Sequence, residues 1–156
     1  MSNAVLKAGA EAEKIPGYLL WQVSKLWQRH LGAALNGLKL SSTQAVILIN
    51  IPRLNQEQKT LTQMLLAEVT KIDRMTVSQS IRTLERKKLI NRVAVPANKR
   101  AYHVELTQAG QGVAVRAMQA IAAAHQLFFR PLANDAEHYI ELTQRLITAN
   151  NIKEET

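Results

Sequence analysis

The thirty residues from Lys71 to Arg100 limit what this chain can fold into more than any other stretch. Val77, Ile81 and Leu84 recur at spacings of four and three, which predicts one helix over 74–88 with a single apolar stripe. Leu89 to Val95 is short and β-branched and predicts a strand. Pro96-Ala97-Asn98-Lys99-Arg100 reads as a turn, and Tyr102 to Leu106 alternates apolar and polar as a half-exposed strand does. The order is amphipathic helix, strand, basic turn, strand. The stretch holds nine Lys or Arg against two acids, a balance of +7, while the other 126 residues hold eleven bases and ten acids, a balance of +1. A surplus this local points to an anionic partner that meets one face of the molecule.

The flanking residues extend the pattern. Asp73 stands where an N-cap belongs, and Thr62 can cap a shorter upstream helix carrying Leu65, Leu66 and Val69. Thr70-Lys71-Ile72 joins the two helices tightly. Two short helices joined by about three residues, the second basic outside and apolar inside, make a helix-turn-helix. The hairpin behind it is then a wing. Ser41 with Gln44 forms a capping box opening a helix with Ala45, Val46, Leu48 and Ile49. Pro52 is expected to end that helix, leaving the polar residues 53–60 as a loop.

A longer helix precedes these. Leu19, Leu20, Val23, Leu26, Trp27, Leu31, Ala34, Leu35 and Leu38 make one apolar face starting after Pro16-Gly17 and ending near Asn36-Gly37, with Trp21 to one side. Both Trp residues read as core or interface packing. Towards the C-terminus, Thr107 can cap a long Ala-rich helix reaching Leu127-Phe128-Phe129, broken by Pro131. Asn134 with Glu137 resembles a second capping box, opening a last helix with Tyr139, Ile140, Leu142, Leu146 and Ile147. The expected fold is mainly α with a small β-hairpin wing. A winged helix-turn-helix core at 41–106 is flanked by helical segments at 16–40 and 107–150. Residues 1–15 are expected to be frayed or disordered, and 151–156 to form a tail.

The major groove of DNA admits one α-helix. With Val77, Ile81 and Leu84 inward, Arg74, Met75, Ser78, Gln79, Arg82 and Arg86 turn outward or sideways. Residues near the N-terminus of such a helix reach base edges, so Thr76, Ser78 and Gln79 are base-reading candidates. Gln79 can bond adenine through both ends of its amide, and Arg82 can pair with guanine. Arg74, Arg86, Lys87 and Lys88 suit phosphates, which fix register without reading sequence. Lys99 and Arg100, at the wing, suit the narrow and electronegative minor groove.

Other chemistries find little support. There are no cysteines, which removes disulfides, thiol catalysis and thiolate-bound zinc. No apolar run approaches the roughly 20 residues of a membrane span, and no signal peptide is visible, so a cytoplasmic protein without membrane contact is expected. The sequence has no G-x-S-x-G, no H-E-x-x-H and no phosphate-cradling glycine loop, so no enzymatic activity and no cofactor are expected. His30, His103, His125 and His138 are scattered without ligand spacing, and read as surface or interface residues rather than a metal site.

Several segments together carry a family resemblance. Leu61-Thr62-Gln63, Leu66-Ala67, Asp73-Arg74-Met75-Thr76-Val77-Ser78, Leu84-Glu85-Arg86-Lys87-Lys88-Leu89-Ile90, Lys99-Arg100-Ala101 and Leu106-Thr107-Gln108-Ala109-Gly110 closely resemble the MarR family (multiple antibiotic resistance regulators). Pro16-Gly17-Tyr18-Leu19-Leu20-Trp21-Gln22 and Leu26-Trp27-Gln28-Arg29 look like the first helix of one of its branches. The resemblance spans about residues 16–148, and its specificity lies in the order and spacing of the segments.

The resemblance implies a homodimeric winged-helix regulator, with 16–40 and 107–150 as its dimerisation helices. It implies binding to a pseudo-palindromic double-stranded operator, most often as a repressor, and release by a small aromatic or anionic effector. Such a ligand would sit between the dimer arm and the DNA-reading lobe, where Trp27, His30, Ile47 and Met118 are candidates; ordinary core packing is the competing reading of all four. Two further alternatives are a dimeric winged helix used for protein contacts and a metal-responsive regulator without an organic ligand. Two positions depart from the family pattern. Asn98 stands in place of the wing aspartate that helps orient the arginine matched by Arg100. Lys88 stands where a glycine usually precedes the first strand, a position that often takes left-handed backbone.

Overall fold

The computed structural model describes residues 14–56, 61–95 and 98–150. The expectations for 1–13, 57–60, 96–97 and 151–156 lie outside the described residues, as do the side chains of residues 94–102.

Helix α1 (Pro16–Leu35) begins on a proline, whose missing N–H costs nothing at a first helical position, and runs into a 3-10 turn at Asn36–Leu38. Of its apolar face only Leu31 and Leu35 are buried; Leu19, Leu20, Val23 and Leu26 remain exposed. The capping box forms at the start of α2 (Ser42–Gln56): the Gln44 N–H donates to Ser41 Oγ at 3.2 Å, and the Ser41 N–H to Gln44 Oε1 at 3.4 Å.

Pro52 does not end α2, contrary to the sequence expectation, and residues 53–56 are helical rather than loop. The ring is exposed, while Ile51 and Leu54 on either side are 0% and 1% exposed. Burying two such side chains is worth about 3–6 kcal/mol. That offsets the roughly 3 kcal/mol cost of an interior proline.

The next two helices, α3 (Gln63–Thr70) and α4 (Arg74–Arg86), carry the expected caps. Thr62 Oγ1 accepts from the Leu65 N–H at 3.2 Å, and Asp73 Oδ1 accepts from the Thr76 N–H at 2.8 Å. The turn between them has no glycine; Lys71 takes the left-handed conformation instead, with φ 55°. Val77, Ile81 and Leu84 are fully buried, as the inner stripe requires.

Strands β1 (Ile90–Val95) and β2 (Asn98–Leu106) pair antiparallel, regularly from Ile90↔Leu106 to Ala94↔Tyr102. The register then jumps, and Val95 pairs with Asn98. The turn expected at 96–100 is therefore too long: the backbone of Asn98, Lys99 and Arg100 already belongs to β2. The ladder is irregular at this point. The Val104 N–H also donates to the Leu61 carbonyl at 3.2 Å, tying β2 to the start of α3.

One core joins these elements. Ile47, Leu48 and Ile51 of α2 meet Leu66 of α3, Val77, Ile81 and Leu84 of α4, and Ile90 and Val104 of the hairpin. Ala114 and Ala117 of α5 (Gln108–Phe129) complete it. Thr107 opens α5 as expected: its hydroxyl accepts from the Gly110 N–H at 3.0 Å and donates to the Lys88 carbonyl at 2.8 Å.

The chain divides after Ala124 into two compact units. In the second, the end of α5 leads through a 3-10 segment (Arg130–Asp135) to α6 (Ala136–Asn150). Phe129 anchors this turn, with ring centroids 4.7 Å from His125, 5.0 Å from Phe128 and 5.7 Å from Tyr139. Asn134, expected to cap the last helix, lies inside the 3-10 segment, because the non-helical break falls at Ala133 just before it. Helix α6 buries none of its residues and leaves Ile140, Leu142, Leu146 and Ile147 exposed.

Candidate nucleic-acid interface

Opposite the buried row of α4 stands a second row: Met75, Gln79, Arg82 and Arg86, at spacings of four, three and four. All four are exposed. Thr76 and Ser78 are half-buried on its two flanks, and Arg74 is exposed in the first turn. Gln79, Arg82 and Arg86 line a shallow depression together with Thr83, Glu85 and Arg92. Glu85 is turned towards the wing side, where its carboxylate meets Arg92 at 2.6 Å. Arg86 Nη2 donates to Thr83 Oγ1 at 3.2 Å, and that hydroxyl donates to the Gln79 carbonyl at 3.0 Å, so Arg86 is steadied along its own helix. The result is a ridge along one helix face, polar and cationic except for Met75.

The leading end of α4 carries a fixed negative charge. Hydrogen bonds from the Thr76 side chain and then its N–H hold the Asp73 carboxyl below the usual carboxylate range. An anion at a helix N-terminus also opposes the helix dipole favourably.

The trailing end holds a contact that the sequence did not indicate. Lys87, expected to contact phosphate, directs its ammonium to the Lys39 carbonyl at 2.6 Å and to Gln44 Oε1 at 3.1 Å. It therefore clamps α4 to the junction between α1 and α2. No local pattern marks this role, since its partners lie 48 and 43 residues away. Lys88 takes left-handed backbone at φ 57°, as the glycine it replaces would. The Leu89 N–H then reaches back to the Leu84 carbonyl at 3.0 Å, which closes the helix end and launches β1. Lys99 and Arg100 lie on β2, next to the register jump.

His103 has a structural place. Its Nδ1 accepts from the Leu61 N–H at 3.3 Å, and its Nε2 lies 3.4 Å from a Glu105 oxygen. Among the ligand-cleft candidates, Ile47 is fully buried in the core. Trp27 is half-buried and His30 exposed on α1, and Met118 is exposed on α5. Among the described residues no three His, Cys, Asp or Glu side chains gather as a metal site would require. No helix among them is long and apolar enough to cross a membrane.

Comparison with known proteins follows the same lines. The model of the MarR family matches residues 37–101. YdcH of Bacillus subtilis (strain 168), an uncharacterized HTH-type transcriptional regulator, is 34% identical over 132 residues, covering 85% of this chain and 89% of that protein. Among solved structures, a MarR mutant from E. coli complexed with operator DNA matches with a TM-score of 0.73 at 24% identity, over 88% of this chain and 96% of that one. The structure of Bordetella bronchiseptica BpsR, whose DNA binding is regulated by 6-hydroxynicotinic acid, matches with a TM-score of 0.75 at 21% identity, over 89% and 95% of the two chains. The structural matches establish the winged-helix fold, and the identity to YdcH runs along nearly the whole chain. The chain belongs to the MarR family of DNA-binding transcriptional regulators and is not an enzyme.

Proposed function

We propose that the chain acts as a homodimeric, ligand-responsive repressor of a pseudo-palindromic operator. The observation that carries the dimer is the exposed apolar surface of α1 and α6. Leu20, Trp21 and Leu26 are 59%, 57% and 48% exposed, and Leu146 and Ile147 are 60% and 54% exposed. A soluble monomer rarely leaves so many large apolar side chains on two helices, whereas a second copy would cover them. A two-fold dimer presents two α4 helices and so reads two half-sites about one helical turn apart.

In this reading Gln79 and Arg82, with Thr76 and Ser78 at their flanks, read bases in the major groove. Arg74, Arg86 and Lys88 hold phosphates, and Lys99 and Arg100 enter the minor groove from the wing. Lys87 serves chiefly as the clamp. Occupancy of the operator represses by exclusion. A small aromatic or anionic effector, the class to which BpsR's 6-hydroxynicotinic acid belongs, acts by preferring a lobe spacing that does not fit the operator. It can lower operator affinity only by as much as it distinguishes the two states.

Selection of duplexes from a random pool at physiological salt, paired with light scattering of the free protein, tests the proposal. A dimeric mass and a recovered inverted repeat are expected. A monomeric mass, or recovery of no preferred duplex, would refute it.

A further inference from the structure

Met75 is 72% exposed, more than any other large hydrophobic side chain among the described residues. It is the second residue of α4, two positions past the Asp73 cap. It shares the outer face with Gln79, Arg82 and Arg86, directly opposite Val77, Ile81 and Leu84. Every other member of that row is polar. A methionine left in water buries little surface and adds little to stability. Its place is nevertheless the one from which recognition helices reach base edges. In the major groove the one apolar group on any base edge is the C5 methyl of thymine. An unbranched thioether chain adapts its shape readily to such a target.

We propose that Met75 reads thymine by packing against the C5 methyl, adding an apolar specificity contact to the polar ones of Gln79 and Arg82. The inference rests on α4 being the helix that enters the major groove. Met75 and Gln79 are separated by about 6 Å along the helix axis. That is about two base steps of 3.4 Å. The thymine therefore lies within about two base pairs of the base that Gln79 reads.

The experiment uses the full chain and the duplex it recovers from a random pool. Each thymine of one half-site is replaced in turn by deoxyuridine, which removes the methyl group and nothing else. At one thymine the wild-type protein loses about fourfold in affinity, the value of one buried methyl-sized group. With Met75→Ala the same replacement costs nothing, and alanine, the best helix former, leaves α4 intact. Equal losses in both proteins, or no loss at any thymine, would overturn the methyl contact while leaving operator binding standing. Recovery of no duplex would overturn the recognition-helix reading and this inference with it.

Discussion

The ammonium of Lys87 lies 2.6 Å from the carbonyl oxygen of Lys39, 48 residues earlier in the chain. Lys39 itself ends the 3-10 turn after α1 in left-handed backbone, at φ 53°. The contact places a cation on a carbonyl at a helical C-terminus, where the dipole favours it. It also fixes the trailing end of α4 against the start of α2. Replacing Lys87 with Met keeps the aliphatic stem and removes the donor. The expected loss is about 1 kcal/mol of folding stability, since the site is exposed and partly screened. Operator affinity should fall without change in the slope of log affinity against log salt. By contrast, Arg86→Ala should lower that slope by about 1, as loss of one phosphate contact does. Urea unfolding and a salt titration of binding distinguish the two variants.

Gly110 lies against the backbone at Leu89. A Cβ built there would stand 1.9 Å from the Leu89 carbonyl oxygen, a backbone atom that cannot swing aside. That carbonyl also accepts from the Thr107 N–H at 3.1 Å, so α5 and β1 are locked together at this point. Gly110→Ala is expected to destabilise by roughly 3 kcal/mol, at the upper end of overpacking costs. The control is Gly112→Ala, where the added methyl meets nothing within 4 Å. There a small gain from helix propensity is expected. Thermal unfolding of the two variants should move in opposite directions.

Asp73 gives α4 a pH-dependent cap. Its carboxyl titrates below the usual range because the charged form accepts from Thr76. A group with a depressed folded pKa stabilises fully above its unfolded pKa and loses that contribution as pH falls towards the folded value. Asp73→Ala should therefore lower the urea midpoint at neutral pH, with the gap between variant and wild type narrowing through the acid range. A gap that stays constant down to strongly acidic pH would mean that the cap does not depend on charge.

The parts legible in the sequence are those governed by near neighbours. Thr62, Asp73 and Thr107 cap their helices because a side-chain oxygen can reach an N–H three residues on, a purely local geometry. The inner stripe of α4 was legible because burial must follow the helical period. Pro52 misled because its local cost is opposed by burial of Ile51 and Leu54, which depends on elements distant in sequence. The wing turn misled because residue type marks a turn but not the register at which the strands close. Lys88 shows that tertiary fixation of both flanks can hold a lysine in backbone that favours glycine. The partners of Lys87 were not legible because charge alone cannot reveal acceptors 48 and 43 residues away.

In the proposed function, Gln79 reads and Arg100 anchors. Gln79 sits one turn into α4 on its outer row, with its amide exposed and its backbone held by the helix. A bidentate contact to adenine should cost about 1–3 kcal/mol at that base alone when Gln79 becomes Ala. Selection with the variant should then return a site degenerate at one position per half-site and unchanged elsewhere. Arg100 lies on β2 beside the jump in register. A minor-groove cation reads width and potential more than base identity, so Arg100→Ala should weaken all selected sites together and lower the salt slope. Asn98→Asp introduces a carboxylate two residues before Arg100, the pattern the family resemblance implies. In the Arg100 protein, Asn98→Asp should sharpen the preference for narrow A·T-rich minor grooves, and in Arg100→Ala the same change should only weaken binding by repulsion. Equal effects in both backgrounds would show that position 98 acts on DNA independently of the arginine.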